Sequence, residues 1–257
     1  MSRIIQKPIQ AVLFDLGSTL IYFDTPWDGM LVDFQSALVR ALHQAGIPVD
    51  GTAFPAEFQR RMEAYYSERD TEFIEYTTGY ILRSLLADNG YANISDAVLA
   101  EILRQLYAPS QSHWQPEPDA LPALTTLRNL GYTLAVVSNA SDDADVQVLV
   151  DKVGIRPLLS AVISSAAVGV RKPNPRIFQA ALEQIRMPVS AAVMVGDTLG
   201  ADILGAQNLG IPGIWIDRRA EKAANRDHLG TIIPDAVIHE LSTLPALLED
   251  WNRERVG

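Results

Sequence analysis

Six short apolar bursts, each stopped by Gly, Asp, Ser or Pro, constrain this chain most: Ala11–Phe14, Thr133–Val137, Ala161–Ile163, Ala191–Val195, Gly213–Ile216 and, more weakly, Ala236–Ile238. Runs of that length without polar alternation read as strands buried on both faces. Between them lie stretches with helical spacing, such as Ile177-Phe178, Ala181-Leu182 and Ile185. Strands alternating with helices predict an α/β fold, a parallel sheet covered on both sides. From about Tyr22 to Trp114 the alternation stops. Apolar positions there fall at Leu31, Phe34, Leu38 and Leu42, then at Ile81, Leu82, Leu85 and Leu86. Gly46-Ile-Pro48, Asp88-Asn-Gly90 and Asn93-Ile-Ser95 punctuate the stretch as turns and helix starts. A mostly helical insert is therefore expected after the first strand, with His113-Trp-Gln-Pro-Glu-Pro118 as the return linker.

The 257 residues, 48% hydrophobic, suffice for one large domain or two modest ones with a sizeable core. Absence of cysteine excludes disulfides, thiolate metal sites and Cys nucleophiles. The charged, Pro-containing start is no secretory signal, and no run reaches the roughly eighteen apolar residues of a membrane span. A cytoplasmic protein without a membrane partner is expected. With 21 Lys and Arg against 31 Asp and Glu, the net charge of −10 repels a polyphosphate backbone, so nucleic acid is not an expected partner. The Arg218-Arg219 pair and the Arg253-Glu-Arg255 tail read as solvated surface.

Ligands of open parallel sheets bind beyond the carboxyl ends of strands. The polar residues that follow the bursts are Asp15-Leu-Gly-Ser-Thr19, Ser138-Asn139 and Gly196-Asp-Thr-Leu-Gly-Ala-Asp202, with Gly169-Val-Arg-Lys-Pro-Asn-Pro175 before the fourth burst. If those strands are neighbours, carboxylates, a hydroxyl and an ammonium converge on one space. Clustered carboxylates repel one another unless a divalent cation joins them, and Mg²⁺ takes one or two carboxylates together with water and phosphate oxygens. A carboxylate beside such an ion can attack phosphorus, while a Lys, a hydroxyl and the backbone N–H groups of a turn offset charge on the transferring group.

Each residue also has a plainer reading. Asp15, Asp197 and the Ser138-Asn139 pair are good helix caps, Lys172 alone is a surface lysine, and Asp202 can lie exposed one turn after Asp197. Thr19 braces its turn. Asp142, Asp143 and Asp145 read as a helix start and surface, and the four histidines (His43, His113, His228, His239) have no ligand spacing. Trp27 and the Tyr65-Tyr66 pair read as core of the insert rather than a substrate cage.

Taken together, four motifs in order resemble the haloacid dehalogenase superfamily: Phe14-Asp-Leu-Gly-Ser-Thr-Leu20, Val136-Val-Ser-Asn139, Arg171-Lys-Pro-Asn-Pro175 with Ile177-Phe178, and Val195-Gly-Asp197 continued to Asp202 and Gly210. The resemblance implies a Rossmann-like core of residues 1–21 and 116–257 and a helical cap of the C1 type over 22–115. It implies Mg²⁺-dependent phosphatase chemistry on a small phosphorylated metabolite. By the same resemblance Asp15 is the nucleophile, Ser138 bonds the transferring group, and Lys172 holds both. Ser18, Thr19 and Asn139 bind substrate. Asp15, the Gly17 carbonyl and Asp197 ligate the metal, with Asp202 as ligand or support.

One departure stands out. Family phosphatases usually carry a second Asp two residues after the nucleophile, as general acid and base; here that position is Gly17, followed by Ser18 in place of the usual Gly. Glycine transfers no proton, which predicts slow turnover of alkyl esters unless Asp24, Asp28 or an insert residue substitutes. Gly17 also keeps two other functions open: a 2-haloacid dehalogenase-like hydrolase, and a catalytically weak member that binds a phosphoryl ligand.

Overall fold

A computed structural model describes residues 8–256, without the side chains of Trp27, Asp28, Asp70 and Val256; the readings of Trp27 and Asp28 therefore lie outside the described residues. The chain runs β1 (Ala11–Phe14), β2 (Ile21–Phe23), α1 (Leu31–Gln44), α2 (Ala53–Glu72), α3 (Thr78–Asp88), α4 (Asp96–Gln111), β3 (Trp114–Pro116) and α5 (Ala120–Asn129). It continues through β4 (Thr133–Ser138), α6 (Asp143–Lys152), β5 (Ala161–Ser164), α7 (Ser165–Val168), α8 (Pro175–Ile185) and β6 (Ala192–Gly196). A π-helical turn, Leu199–Leu204, leads into α9 (Gly205–Gln207), then β7 (Gly213–Ile216), α10 (Ala223–Arg226), β8 (Ala236–Ile238) and α11 (Leu244–Val256).

The six bursts form one parallel sheet in the order β5-β4-β1-β6-β7-β8. Period-two alternation divides the central strands between two cores. Val12, Phe14, Val136, Val193 and Val195 face one side, against Leu124 of α5, Val150 of α6 and Leu248 of α11. Ala11, Leu13, Ala135, Ala192 and Met194 face the other, where α8 lays down Ile177, Phe178, Ala181, Leu182 and Ile185. The small residues on that face let Phe178 sit fully buried against the sheet. Full burial of each large side chain contributes about 1.5–3 kcal/mol. Asn174 starts α8 by accepting a bond from the Arg176 N–H at 3.0 Å, with Pro175 supplying a preset first turn.

The insert has its own core of Leu38, Leu42, Leu82, Leu85, Leu86 and Ile102. Thr77 and Ser95 cap α3 and α4 through their hydroxyls, as the sequence punctuation around Ser95 predicts. The return segment is more than a linker: Trp114–Pro116 pairs antiparallel with Ile21–Phe23, Phe23 opposite Trp114, so both crossings to the insert form one ribbon. A second tie joins insert and sheet. Glu75 N–H bonds Gly169 O at 3.0 Å and Arg171 N–H bonds Phe73 O at 2.9 Å, around a bridge between Ile74 and Val170.

Arg218 and Arg219 are not solvated surface. Arg218 reaches Glu117 at 2.8 Å and Asp119 at 2.5 Å, and Arg219 pairs with Glu117 at 2.5 Å and donates to Ser18 O at 3.3 Å. Glu117 is nearly sealed from solvent, and a buried carboxylate demands such partners. Among the described residues no helix is long and apolar enough to cross a membrane.

Candidate active site

Chain order reverses at β1: β4 and β5 lie on one side of it, and β6, β7 and β8 on the other. Such a switch point opens a crevice at the carboxyl ends of the strands. Asp15 follows β1 there, its N–H bonded to Val195 O at 2.9 Å, while Ser138 ends β4 and Asp197 follows β6. The three stand over a cavity of about 850 Å³ that Gly17, Asn139, Lys172 and Asp202 also line.

Lys172 is the hub. Its ammonium donates to Asp15 Oδ1 at 2.6 Å and Val137 O at 2.6 Å, and faces Asp202 Oδ1 at 2.7 Å. Burial would lower its pKa, but the Asp15 and Asp202 carboxylates outweigh that and hold it above the ordinary lysine value. Asn139 clamps the Lys172 backbone, accepting from its N–H at 2.7 Å and donating to its carbonyl at 3.0 Å. That engagement makes Asn139 a brace for Lys172, and it also lines the cavity in which the sequence suggested a substrate ligand.

Asp197 and Asp202 are both buried. Thr198 N–H donates to Asp202 Oδ2 at 2.9 Å and Thr198 Oγ1 donates to Asp197 Oδ1 at 3.2 Å. The π-helical turn swings Asp202 back under Gly196, so closely that a Cβ on Gly196 would stand 2.3 Å from the Asp202 carboxyl carbon. Glycine is therefore obligatory before Asp197. Burial, then the neighbouring charges of Asp15 and Asp197, push Asp202 up to about 7 against the pull of Lys172; burial and Asp15 raise Asp197 too, opposed by Lys222.

Ser18 and Thr19 lie off the cavity, contrary to their reading as substrate ligands. Ser18 turns away at φ +65, its carbonyl accepting from Arg219, in a left-handed conformation that costs a non-glycine residue about 1 kcal/mol. Thr19 is fully buried, 3.5 Å from Asp15 Oδ2, and braces the turn. Asp24 pairs with His113 at 2.9 Å and Gln115 at 3.0 Å, also off the cavity.

Other residues at the site have no motif in the sequence. Lys222 contacts Asp197 Oδ2, and Asn225 donates to Asp197 O at 2.9 Å while accepting from Leu199 N–H at 2.8 Å. Lys222 precedes α10 and Asn225 lies within it, 25 and 28 residues downstream of Asp197, a pairing that only the fold creates. Asp145 starts α6 as the acidic run predicts, with Asp142 as N-cap, yet it faces the cavity and accepts from Gln111 of α4 at 2.8 Å. Burial, moderated by Gln111, pushes Asp145 up to about 6. Below pH about 4 it is protonated whether the chain is folded or not; above about 6 it is a buried charge that burdens the fold. Asp145→Asn is thus expected to stabilise the protein by about 1–2 kcal/mol at pH 8, with no difference at pH 4, in parallel denaturant titrations.

One oxygen from each of Asp15, Asp197 and Asp202 falls within a common 4.8 Å span. Three carboxylates against the ammonium groups of Lys172 and Lys222 leave the cluster one positive charge short. Those hard, converging oxygen donors fit a divalent ion such as Mg²⁺.

A carboxylate ending the central strand of a parallel sheet, gripped by a buried lysine and flanked by two more acids, defines an α/β enzyme site built around an aspartate. Residues 9–210 match the model of the haloacid dehalogenase-like hydrolase family, and the chain belongs to that family. It is 30% identical over 212 residues (82% of this chain, 84% of the relative) to a glyceraldehyde 3-phosphate phosphatase of Methanopyrus kandleri. It is 29% identical to a phosphoglycolate phosphatase of Caulobacter vibrioides, over 91% of this chain and 92% of that one. Among solved structures, a 2-haloacid dehalogenase from Pseudomonas syringae pv. Tomato DC3000 superposes with a TM-score of 0.64 at 28% identity, covering 95% of this chain and 99% of that chain.

Proposed function

We propose that this hydrolase is a Mg²⁺-dependent phosphatase of a small phosphorylated metabolite, with Asp15 as its nucleophile. The observation that carries the reading is the Asp15 carboxylate held by Lys172 at 2.6 Å within reach of Asp197 and Asp202. The phosphatase names of the Methanopyrus and Caulobacter relatives support it. An Asp15 oxygen attacks phosphorus, the bond from phosphorus to the ester oxygen breaks, and its electron pair leaves with that oxygen. Water then attacks phosphorus, releasing phosphate and restoring the carboxylate. Ser138 and Lys172 offset charge on the transferring group. Asp15, Asp197 and the Gly17 carbonyl would hold Mg²⁺, with Asp202 as ligand or support. When bound, the ion neutralises charge on the carboxylates and on the phosphoryl oxygens. Residues 22–115 act as the cap over a core of 1–21 and 116–257, supported by Arg69 and Phe73 of the insert lining the same cavity.

Gly17 and the likeness to the Pseudomonas dehalogenase favour a second reading, attack of Asp15 on carbon with loss of halide. Three converging carboxylates suit cation-assisted attack on phosphorus better. One experiment separates them. Phosphate release from p-nitrophenyl phosphate and chloride release from 2-chloropropionate are measured with Mg²⁺ and with chelator. The phosphatase reading expects phosphate release that chelator abolishes and Mg²⁺ restores. Chelator-insensitive chloride release without phosphate release contradicts it.

A further inference from the structure

One wall of the cavity is apolar. Leu16, Ile21, Trp114, Val146 and Leu149 line it, beginning at the residue after Asp15. All but Trp114 are at most 4% exposed, and they belong to the core against which Trp114 packs half-buried. The indole is fixed in place. Phe23 meets it edge to face at 5.2 Å between ring centroids, the two residues pair across the β2–β3 ribbon, and Lys152 donates to the Trp114 carbonyl at 2.7 Å. A ring held in this way has little freedom left to lose on binding a ligand. Asp145, next to Val146, is engaged by Gln111 at 2.8 Å. The edge of the indole lies at position 17, where a Cβ on Gly17 would stand 3.6 and 3.8 Å from two atoms of its six-membered ring. Two residues after Asp15, the cavity thus offers a leaving group an apolar ring and, glycine having no side chain, no proton.

Both features favour the same leaving group. A phenol ionises at about pH 10, as a tyrosine side chain does, so its anion departs without the proton that an alkoxide needs. Its flat apolar face also gains by leaving water against a fixed aromatic ring. We propose that Trp114 seats the leaving group, and that the preferred substrates are aryl phosphomonoesters, the phosphate esters of phenols. The bond from phosphorus to the phenolic oxygen breaks with its electron pair on that oxygen. The phosphoryl group passes to Asp15 and then to water, and the phenolate takes its proton from solvent. The proposal rests on the phosphatase reading for which group reacts, and on the indole wall for which group leaves.

The test is binding to Asp15→Asn protein in Mg²⁺ buffer, followed by calorimetry, with phenyl phosphate compared against glycerol 3-phosphate. Phenyl phosphate is expected to bind about tenfold tighter, which is about 1.4 kcal/mol. Adding Trp114→Phe, which keeps a ring, is expected to leave a ratio of about fivefold. Adding Trp114→Gln is expected to bring it to about twofold or less while glycerol 3-phosphate binds as before. Contact is read directly in Asp15→Asn protein with Trp114 intact: the phenyl protons are expected to show NMR cross-relaxation with an indole, assigned to Trp114 by its loss in Trp114→Phe. Equal binding of the two esters, a preference that survives Trp114→Gln, or no cross-relaxation with Trp114 overturns the proposal. If Trp114→Gln loses both esters, the cross-relaxation decides. Wild-type release of phosphate from the same two esters, measured alongside, bears on the phosphatase reading alone.

Discussion

Asp15→Asn is expected to lower kcat by roughly 10⁴-fold or more, the scale seen when a nucleophile is removed from an otherwise intact site. The amide has the size of the carboxylate and keeps its place beside Thr19. Lys172 retains Asp202 and the Val137 carbonyl as partners, so the hub survives the exchange. One of three mutually repelling buried carboxylates is also removed. The melting temperature should therefore hold or rise while activity disappears, a combination that loss of structure cannot produce. Turnover within tenfold of wild type would mean that another group attacks the substrate.

Gly17→Asp is expected to act in the opposite direction, raising kcat for an alkyl phosphate by about 10²-fold or more. General acid–base catalysis is worth roughly 10²–10⁴, and glycine at position 17 gives the leaving oxygen no proton. The backbone has room for the new side chain. A Cβ at Gly17 would rest 3.6 and 3.8 Å from ring atoms of Trp114, which is ordinary contact, and Gly17 is not among the residues at positive φ. Leaving-group dependence makes the result diagnostic. An aryl phosphate departs without a proton and should gain little, so the alkyl-to-aryl ratio should climb with kcat for the alkyl ester. A parallel rise for both esters, or none for either, would show that proton transfer does not limit the reaction.

Much of this site is legible in the residues themselves. Apolar bursts locate the strands because a strand buried on both faces has no polar positions to spare. The polar residue after each burst locates the crevice because β1 lies between β4 and β6. Asp15, Ser138 and Asp197 are found that way, with Asp202 further along the same turn, while Lys172 stands out on the segment between the third and fourth bursts. Local pattern is silent about partners brought in from elsewhere. Lys222 and Asn225 meet Asp197 from the start of α10 and from within it, and Asp145 faces inward where Gln111 of the insert bonds it. The β2–β3 ribbon is three residues long on each side, too short for alternation to register. Charged residues mislead in the same way: Arg218 and Arg219 read as surface until Glu117 and Asp119, about a hundred residues upstream, are folded against them.

What Asp15 does to a substrate can be caught in the protein itself. Wild-type enzyme mixed with a phosphomonoester and Mg²⁺, quenched in acid within one turnover and digested, is examined by peptide mass spectrometry. A phosphoryl group on the peptide containing Asp15, absent from Asp15→Asn and absent when chelator precedes substrate, is the expected result. Steady release of phosphate with that peptide unmodified, or with the phosphoryl group on another residue, would contradict it.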